Sequence, residues 1–270
     1  MRIALGLEYC GIPFCGWQTQ PGGCAVQDHV EDALAKFTGA RVATVTAGRT
    51  DTGVHARAQV IHFDSPVERD AVSWVRGTNT FLHPRVRVLW AQPVADEFHA
   101  RFAARSRRYD YLLLNDAVGA GLFDGFVGWC HQPLDAPRMH AAAQALVGEH
   151  DFTTFRAAEC QAATPVRTVS RVSVERSGKL IRLSFTANAF LHHMVRNLVG
   201  SLVYVGCGKQ PVEWLATLLK GRDRSRAAPT FAASGLYLAE IDYDKVWNLP
   251  EFPDRSPLFA FSHPALPPAP

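Results

Sequence analysis

Apolar and polar positions alternate at the start of the chain. Apolar side chains recur at every second position from Ile3 to Tyr9, which predicts a β-strand over residues 2–9. After a loop rich in glycine and proline, apolar residues recur at helical spacing and predict a helix over residues 26–37 that ends near Gly39. Strand-like runs follow at 42–46, 60–63 and 85–90. A strand, a helix and then further strands indicate an α+β fold with a largely antiparallel sheet.

The second half repeats this order of elements. A strand is predicted over residues 107–115, a helix over 135–147 with Gly148 at its end, and a hairpin over 171–187 with its turn at Ser177-Gly178. Apolar faces then predict helices over 189–205 and from Pro211 to Gly221, before a last strand over 236–243. We therefore expect a pseudo-symmetric pair of two similar α+β domains.

The expected boundaries place an N-terminal domain at residues 1–104, a C-terminal domain at 105–247 and a proline-rich tail at 248–270. The tail is expected to be irregular, although its "PLFAF" run could pack onto the body of the protein.

Composition narrows the class of protein only slightly. The chain has 270 residues, of which 47% are hydrophobic and 20% are charged, with a net charge of +3. This is an ordinary globular composition, and so small a charge does not demand a polyanionic partner. However, 23 of the 28 basic residues are arginine, whose planar fork suits phosphates and carboxylates. A genome biased toward arginine codons would explain the same excess.

The six cysteines form neither a CxxC pair nor a regular framework, so we expect reduced thiols and a cytoplasmic protein. They are Cys10, Cys15, Cys24, Cys130, Cys160 and Cys207. The first residues lack the apolar core of a signal peptide, and no apolar run reaches the roughly 18 residues of a membrane span.

Three stretches hold candidate chemistry. In "VTAGRTDTGVHA", Asp51 stands among threonines and between Gly48 and Gly53, where it could be held rigidly in a cleft; alternatively, it is only a turn residue bonded to its own backbone. The run "HARFAARSRRYDY" sets arginines beside tyrosines, as RNA-binding surfaces do, although a solvated charged face has the same composition. The loop "GRDRSRA" is a second local basic patch.

In "NAFLHHMVRNLVG", Arg196 is predicted at the border of an apolar helix face, where its charge needs a partner. The adjacent His192 and His193 suggest a metal site, but neighbouring helix positions diverge by about 100°, so structural or RNA-facing roles are favoured. Motifs such as GxSxG, a P-loop lysine and HExxH are absent from the sequence, and we expect neither a metal nor a nucleotide cofactor.

Together these motifs resemble one family. The stretches "AGRTDTGVHA" at 47–56, "DEFHARFAARSRRYDY" at 96–111, "DFTTFRA" at 151–157 and "ANAFLHHMVRNLVGSL" at 187–202 are similar, in order, to motifs of the bacterial tRNA pseudouridine synthase A family. The "YCGIPFCGWQTQ" start and the terminal "SPLFAF" fit as well. Two departures are Thr52, where the family usually has alanine, and Cys10 with Phe14, which replace a polar residue and a tyrosine.

The resemblance implies a cofactor-free isomerase that converts uridines 38, 39 and 40 of the tRNA anticodon stem-loop to pseudouridine. It also implies a homodimer, and a fold in which the two α+β domains are joined side by side, with the helices on the outer face and a central RNA-binding cleft. It assigns the catalytic roles to Asp51, Tyr109, which contacts the target base, and Arg196, which pairs with the aspartate. Substrate binding is expected to involve these residues of the motifs: Arg49, His55, Arg107, Arg108, Tyr109 and His192.

Two other classes of function compete with this hypothesis. A non-catalytic RNA-binding or tRNA-folding module would keep the basic surfaces, but the presence of all three catalytic side chains argues against it. A hydrolytic glycosidase would need a second acid paired with Asp51, and none is evident in the sequence.

Overall fold

The computed structural model describes residues 1–253, and within them ten strands form one sheet. The strands are β1 (Arg2–Tyr9), β2 (Val45–Thr46), β3 (His55–Asp64), β4 (Val86–Val94), β5 (Ala104–Asn115), β6 (Gly128–Cys130), β7 (Gly148–Asp151), β8 (Val166–Ser177), β9 (Leu180–Ala187) and β10 (Leu236–Tyr243). The helices are α1 (Val26–Thr38), α2 (Ala71–Phe81), α3 (Ala136–Ala143), α4 (Met194–Gly206) and α5 (Trp214–Gly221). The predicted "SPLFAF" contact lies outside the described residues.

The sheet runs in the order β4-β1-β3-β10-β5-β9-β8-β7, with β2 beside β3 and β6 beside β5. All pairs are antiparallel except β3 with β10 and β5 with β6. The predicted α+β class with a mostly antiparallel sheet is therefore confirmed. The first strand of each half, β1 or β5, lies between two strands that follow it in the chain, so the two halves share an arrangement. Because β10 pairs with both β3 and β5, one sheet continues across both halves, and the domain boundary at 104 stays a prediction.

A large core of buried apolar side chains fills the space between the sheet and the helices, and it includes Leu5, Leu34 and Phe185. Helix α1 packs on α2, α2 on β4, α3 on β8 and α4 on α3. No helix in residues 1–253 has the length and apolar character needed to cross a membrane.

Several elements match their predictions closely. Strands β1 and β10 have the predicted bounds, and α1 ends at Gly39, whose φ of 77° is the left-handed conformation of a helix C-cap. Helix α2 was not predicted, because its sequence "AVSWVRGTNTF" mixes β-branched residues with Gly77. A Cβ at Gly77 would lie 2.0 Å from the Phe37 ring, so the glycine permits close packing of α1 and α2.

The predicted helix over 189–205 is wrong at its start. The helix begins at Met194, since His193 has a φ of 60° and interrupts the helical backbone. The segment from Ala189 to His193 is therefore not helical. This difference changes the direction of the two histidines, as described below.

Smaller corrections concern other boundaries. The hairpin turn is Gly178-Lys179, because Ser177 pairs with Leu180 in the ladder. The strand predicted over 42–46 has only two residues. The helix predicted over 135–147 is α-helical only as far as Ala143, and a 3₁₀ turn follows it. The helix expected from Pro211 begins at Trp214.

The expectation that all six cysteines are reduced is wrong for one pair. Cys15 and Cys24 form a disulfide that closes the loop after β1, whereas Cys10, Cys130, Cys160 and Cys207 are free thiols. Spacing could not predict this bond, because the pair lies nine residues apart in a loop whose path brings the Cα atoms to 5.5 Å.

Candidate active site

An open cleft of about 1210 Å³ lies where the loop before β3 meets β5 and the start of α4. The cleft also receives residues from the disulfide-closed loop and from the turn before β5. Six of the predicted site residues line it: Arg49, Asp51, Arg107, Tyr109, His192 and Arg196. The fold thus brings together three motifs that are far apart in the sequence.

The Asp51 loop is held from several directions. The Tyr9 hydroxyl lies 2.8 Å from Thr50 Oγ1, and the Trp17 amide donates to the Thr50 carbonyl at 3.0 Å. Behind the loop, the buried Gln59 side chain donates to the Gly48 carbonyl at 2.6 Å. These bonds fix Gly48 and Thr50, which precede Asp51 in the loop, so the fold limits where the carboxylate can lie.

The loop turns at Gly53, whose φ is 79°, and the Val54 amide donates to the Asp51 carbonyl at 3.1 Å. The turn interpretation of this stretch therefore describes its backbone correctly. Of the two glycines that flank Asp51, only Gly53 has a positive φ. Gly53 therefore supplies the left-handed conformation that the turn needs, and Gly48 does not.

The Asp51 carboxylate itself faces three side chains from the start of α4. Arg196 Nη1 donates to Oδ2 at 3.2 Å, His192 Nε2 lies 3.4 Å from Oδ1, and His193 Nε2 lies 3.4 Å from Oδ2. The side chain of Asp51 is 21% exposed, so it is partly shielded but still open to the cleft. Charge attraction in such a partly dry site is stronger than in water. The predicted ion pair between Asp51 and Arg196 is present.

Arg196 is aimed by its surroundings. Its Nε donates to the Phe231 carbonyl at 2.8 Å, and the Phe231 amide donates back to the Arg196 carbonyl at 3.2 Å. The chain before Phe231 passes close to α4 at Gly200, where a Cβ would lie 2.4 Å from the Pro229 carbonyl oxygen. The arginine therefore has one nitrogen fixed by the backbone and another left to hold the carboxylate.

Both histidines reach the carboxylate because they precede the helix. The argument that neighbouring positions diverge by about 100° applies to a helix, and His193 instead has a left-handed backbone. The ring centres of His192 and His193 lie 4.0 Å apart. Burial lowers the pKa of His193, which favours the neutral form of its ring.

Tyr109 lies on the floor of the cleft and is 8% exposed. Its hydroxyl donates to the Arg49 carbonyl at 3.4 Å, and its ring packs edge-on against Phe190 with ring centres 5.1 Å apart. Burial, with smaller contributions from Tyr9 and Asp51, raises the pKa of Tyr109. The phenol therefore stays protonated at neutral pH.

The remaining predicted binding residues divide into two groups. Arg49 is exposed within the cleft, whereas Arg107 is buried and donates to the carbonyls of Ala47 at 3.0 Å and Asn188 at 2.9 Å. Arg107 thus ties the Asp51 loop to the end of β9. Its predicted contact with RNA stays a prediction, and its observed contacts are with the protein backbone.

His55 and Arg108 lie outside this cleft. His55 is buried, with Nδ1 accepting from the Gly11 amide at 3.1 Å and Nε2 lying 2.9 Å from the Gly125 carbonyl. Arg108 alternates with Tyr109 along β5 and so points to the opposite face of the sheet, where it pairs with Asp110. The geometry therefore separates these two residues from Asp51.

The side chains of Asp51, His192 and His193 are of types that bind metal ions. One ligand atom each from Asp51, His192 and His193 lies within 4.8 Å of the others, close enough for a single ion. Arg196 already supplies a positive charge to the same carboxylate. The expected absence of a metal stays a prediction.

Sequence reasoning missed several parts of the site. His193 was noted without a role in the site, because nothing in its sequence neighbourhood indicates a left-handed backbone. The Phe231 contacts were also missed, because they are made by backbone atoms and carry no sequence pattern. The motif "DFTTFRA" now has a structural role, since the Phe155 carbonyl accepts from the buried Asn197 of α4 at 2.8 Å.

The cleft of this mostly antiparallel α+β fold thus holds a fixed carboxylate, an arginine counter-ion and a buried tyrosine, and a carboxylate is a group that enzymes use as a nucleophile. Comparison with known proteins gives the family of the chain. The family described as tRNA pseudouridine synthase matches residues 142–244. A tRNA pseudouridine synthase A of Janthinobacterium sp. (strain Marseille) is 57% identical over 93% of this chain and 94% of its own length. The corresponding protein of Thiobacillus denitrificans is 55% identical over 95% of this chain and 99% of its own.

The chain therefore belongs to the bacterial tRNA pseudouridine synthase A family, a family of isomerases. Among solved structures, a chain of a Cbf5-Nop10-Gar1 complex shows a weak similarity, with a TM-score of 0.32 and 14% identity over 74% of this chain and 45% of the other. That match bears on neither fold nor function.

Proposed function

We propose that this protein isomerises uridine to pseudouridine in tRNA, at positions 38, 39 and 40 of the anticodon stem-loop. One observation carries the proposal: the Asp51 carboxylate accepts a hydrogen bond from Arg196 at 3.2 Å in the cleft whose floor holds the buried Tyr109. The family resemblance supports the choice of positions. Within the described residues that line the cleft, Glu159 is the other carboxylate, and it is exposed, so a pair of glycosidase acids is poorly supported.

The reaction is an isomerisation, so no atoms are gained or lost. The N1–C1′ glycosidic bond breaks, the uracil turns while it stays bound, and a bond forms between C5 and C1′. The proton on C5 then leaves, and N1 gains one. Asp51 acts as the nucleophile toward the electron-poor substrate, either at C1′ or at the base.

Arg196 orients the Asp51 carboxylate through a hydrogen bond to Oδ2 and supplies its counter-charge, and His193 lies beside the same oxygen. The two distances are 3.2 Å and 3.4 Å. Groups preorganised in this way do not have to reorganise during the reaction. His192, on the other oxygen, lies on the open side of the cleft with 41% of its side chain exposed, where it can contact RNA.

Tyr109 stacks on the extruded uracil, and the proton on C5 passes to water in the open cleft. The raised pKa of Tyr109 keeps its hydroxyl protonated, so it acts as a donor in the resting enzyme. The target base has to leave its stack to reach this depth. Arg49, which is exposed and lines the cleft, binds the phosphate or the flipped-out base.

We also propose that the protein is a cytoplasmic homodimer, with tRNA lying across a basic cleft to which both subunits contribute. The family resemblance supports this arrangement. Light scattering during size-exclusion chromatography tests it: a mass of about 60 kDa, twice the 29.7 kDa chain, is expected, and a monomer at micromolar concentration contradicts it.

The product distribution tests the proposed reaction. Unmodified tRNA transcripts that carry uridine at 38, 39 or 40 are incubated with the protein, and products are mapped by mass spectrometry after digestion. Pseudouridine at those positions is expected. Free uracil would indicate a glycosidase, tight binding without conversion would indicate a non-catalytic RNA-binding module, and pseudouridine only elsewhere in the tRNA would refute the assignment of positions.

A further inference from the structure

Phe102 is unusually exposed for a large apolar side chain. It lies in the turn before β5, lines the same cleft as Asp51 and is 75% exposed. A single exposed apolar side chain is ordinary on a protein surface, but this one lines the cleft that holds Asp51. The backbone of its turn is also held in place.

Three side chains from three different strands hold the backbone of the turn. Arg107 on β5 donates to the Arg101 carbonyl at 2.6 Å, and the Tyr243 hydroxyl on β10 donates to the Ala100 carbonyl at 2.6 Å. On β3, the buried His62 accepts from the Ala100 amide at 3.1 Å. The turn therefore sits on a support of buried polar groups, although its outermost side chain faces solvent.

The Phe102 ring also has ordered neighbours. The His99 ring stacks with it at 4.3 Å between centres and 26° between planes, and His99 Nδ1 accepts from the Phe102 amide at 3.2 Å. The Arg101 guanidinium lies 5.6 Å from the ring centre. An aromatic ring beside an exposed arginine matches the chemistry of a nucleotide, since the ring can stack on a base while the cation binds a phosphate.

We infer that Phe102 is a stacking platform for an unpaired base of the tRNA, a nucleotide adjacent to the uridine that enters the Asp51 site. This inference rests on the proposed function, because it assigns the substrate's neighbouring base to the same cleft. Stacking on the Phe102 ring holds open the helix from which the target has been extruded. It adds affinity for RNA and does not take part in the chemical step.

The test compares Phe102→Leu with Phe102→Trp and with Leu122→Ala, a control at a side chain that is 86% exposed and does not line the cleft. The probe is an anticodon stem-loop RNA with 2-aminopurine next to the target uridine. Wild type and Phe102→Trp should quench its fluorescence on binding. We expect Phe102→Leu to lose the quenching and to weaken binding by roughly tenfold, within the range measured for base–aromatic stacking.

Rate measurements separate stacking from other roles. With saturating RNA, the single-turnover rate of Phe102→Leu should stay within about twofold of wild type, because the ring contributes to binding. Equal affinity of Phe102→Leu and wild type would overturn the inference. A slower single-turnover rate with unchanged affinity would also overturn it, since the ring would then position the reacting base.

Two further outcomes distinguish the inference about Phe102 from the proposed homodimer and the proposed reaction. A change of oligomeric state in Phe102→Leu, seen by light scattering, would show that the ring contacts a second copy of the chain and not RNA. If wild type binds the probe but forms no pseudouridine, the proposed reaction fails, and the fluorescence comparison still decides whether Phe102 stacks on a base.

Discussion

At the scale of single residues, the account depends on how Asp51 is held. A carboxylate on a surface loop would sample many positions, but this one contacts Arg196 on one oxygen and His192 on the other. Arg196 in turn cannot swing away without breaking its bond to the Phe231 carbonyl. The catalytic group and its counter-ion are thus positioned by the same few contacts.

Arg196→Lys tests the value of that geometry. Lysine keeps the charge but has one donor centre, so it cannot bind both the Phe231 carbonyl and Asp51 as the guanidinium does. We expect the single-turnover rate to fall by about 100-fold, comparable to the loss of one preorganised donor in other enzymes. Arg138→Lys, on the exposed side of α3, is the control. A rate within twofold of wild type would show that charge alone is sufficient.

At the residue scale, the family resemblance assigned catalytic roles to Asp51, Tyr109 and Arg196. The fold brings all three to one cleft, and their catalytic roles stay a prediction. His55 and Arg108 belong to the same motifs but lie elsewhere. Membership of a motif does not reveal which face of a strand a side chain occupies.

At the scale of elements, the loop after β1 supports the catalytic loop. Gly16 has a φ of 90°, and a Cβ there would lie 2.7 Å from the Thr50 carbonyl oxygen. The next residue, Trp17, donates to that same carbonyl at 3.0 Å. The two loops therefore approach each other more closely than a side chain at Gly16 would permit.

Gly16→Ala should damage the site through this contact. We expect a loss of about 1–3 kcal/mol in the free energy of unfolding and a larger fractional loss of turnover, since Thr50 is displaced next to Asp51. Gly22→Ala is a matched control, because Gly22 has a φ of 104° but a Cβ added there would meet no atom within 4 Å. Equal effects of the two substitutions on turnover would show that backbone strain, and not the contact with Thr50, matters.

Prediction of elements worked where local patterns decide the structure. The alternation in β1 and the capped amphipathic pattern of α1 are local, and both were predicted with nearly correct bounds. The start of α4 and the existence of α2 depend on tertiary contacts, such as the fit of Gly77 against Phe37. Such contacts override weak local preferences and cannot be read from one sequence.

At the scale of the whole molecule, one continuous sheet brings the parts of the site together. Asp51 and Arg196 are 145 residues apart in sequence, yet the loop before β3 meets helix α4 because β10 joins β3 to β5. Sequence order suggested two halves but not how they join. A pairing between strands so distant in sequence leaves no local pattern, so the cleft itself could only be inferred from the family resemblance.

Whole-molecule stability should depend on pH through His62. Burial, with smaller effects of His99 and Arg2, lowers the pKa of this 4% exposed side chain to about 4. Its unfolded pKa is about 6.5, so below that pH the unfolded chain binds a proton that the folded protein does not. The contribution of His62 to stability is therefore complete above pH 6.5 and is lost as the pH falls toward 4.

Urea unfolding at pH 7 and pH 5 measures this effect. We expect His62 to account for about 2 kcal/mol of the stability lost between these two values. His62→Asn, which keeps an acceptor for the Ala100 amide, should lose correspondingly less stability over the same interval. The exposed His131→Asn is the control and should follow wild type; if His62→Asn follows it too, His62 is not the group responsible.

The most direct test of the central claim is single-turnover conversion of uridine by Asp51→Asn. The amide keeps the size of the side chain but is not a nucleophile, and it loses the charge that Arg196 holds. We predict that pseudouridine formation in tRNA becomes undetectable while tRNA affinity stays within a few-fold of wild type, and that Asp32→Asn on the exposed side of α1 has no effect. Measurable conversion by Asp51→Asn at a rate near wild type would contradict the account.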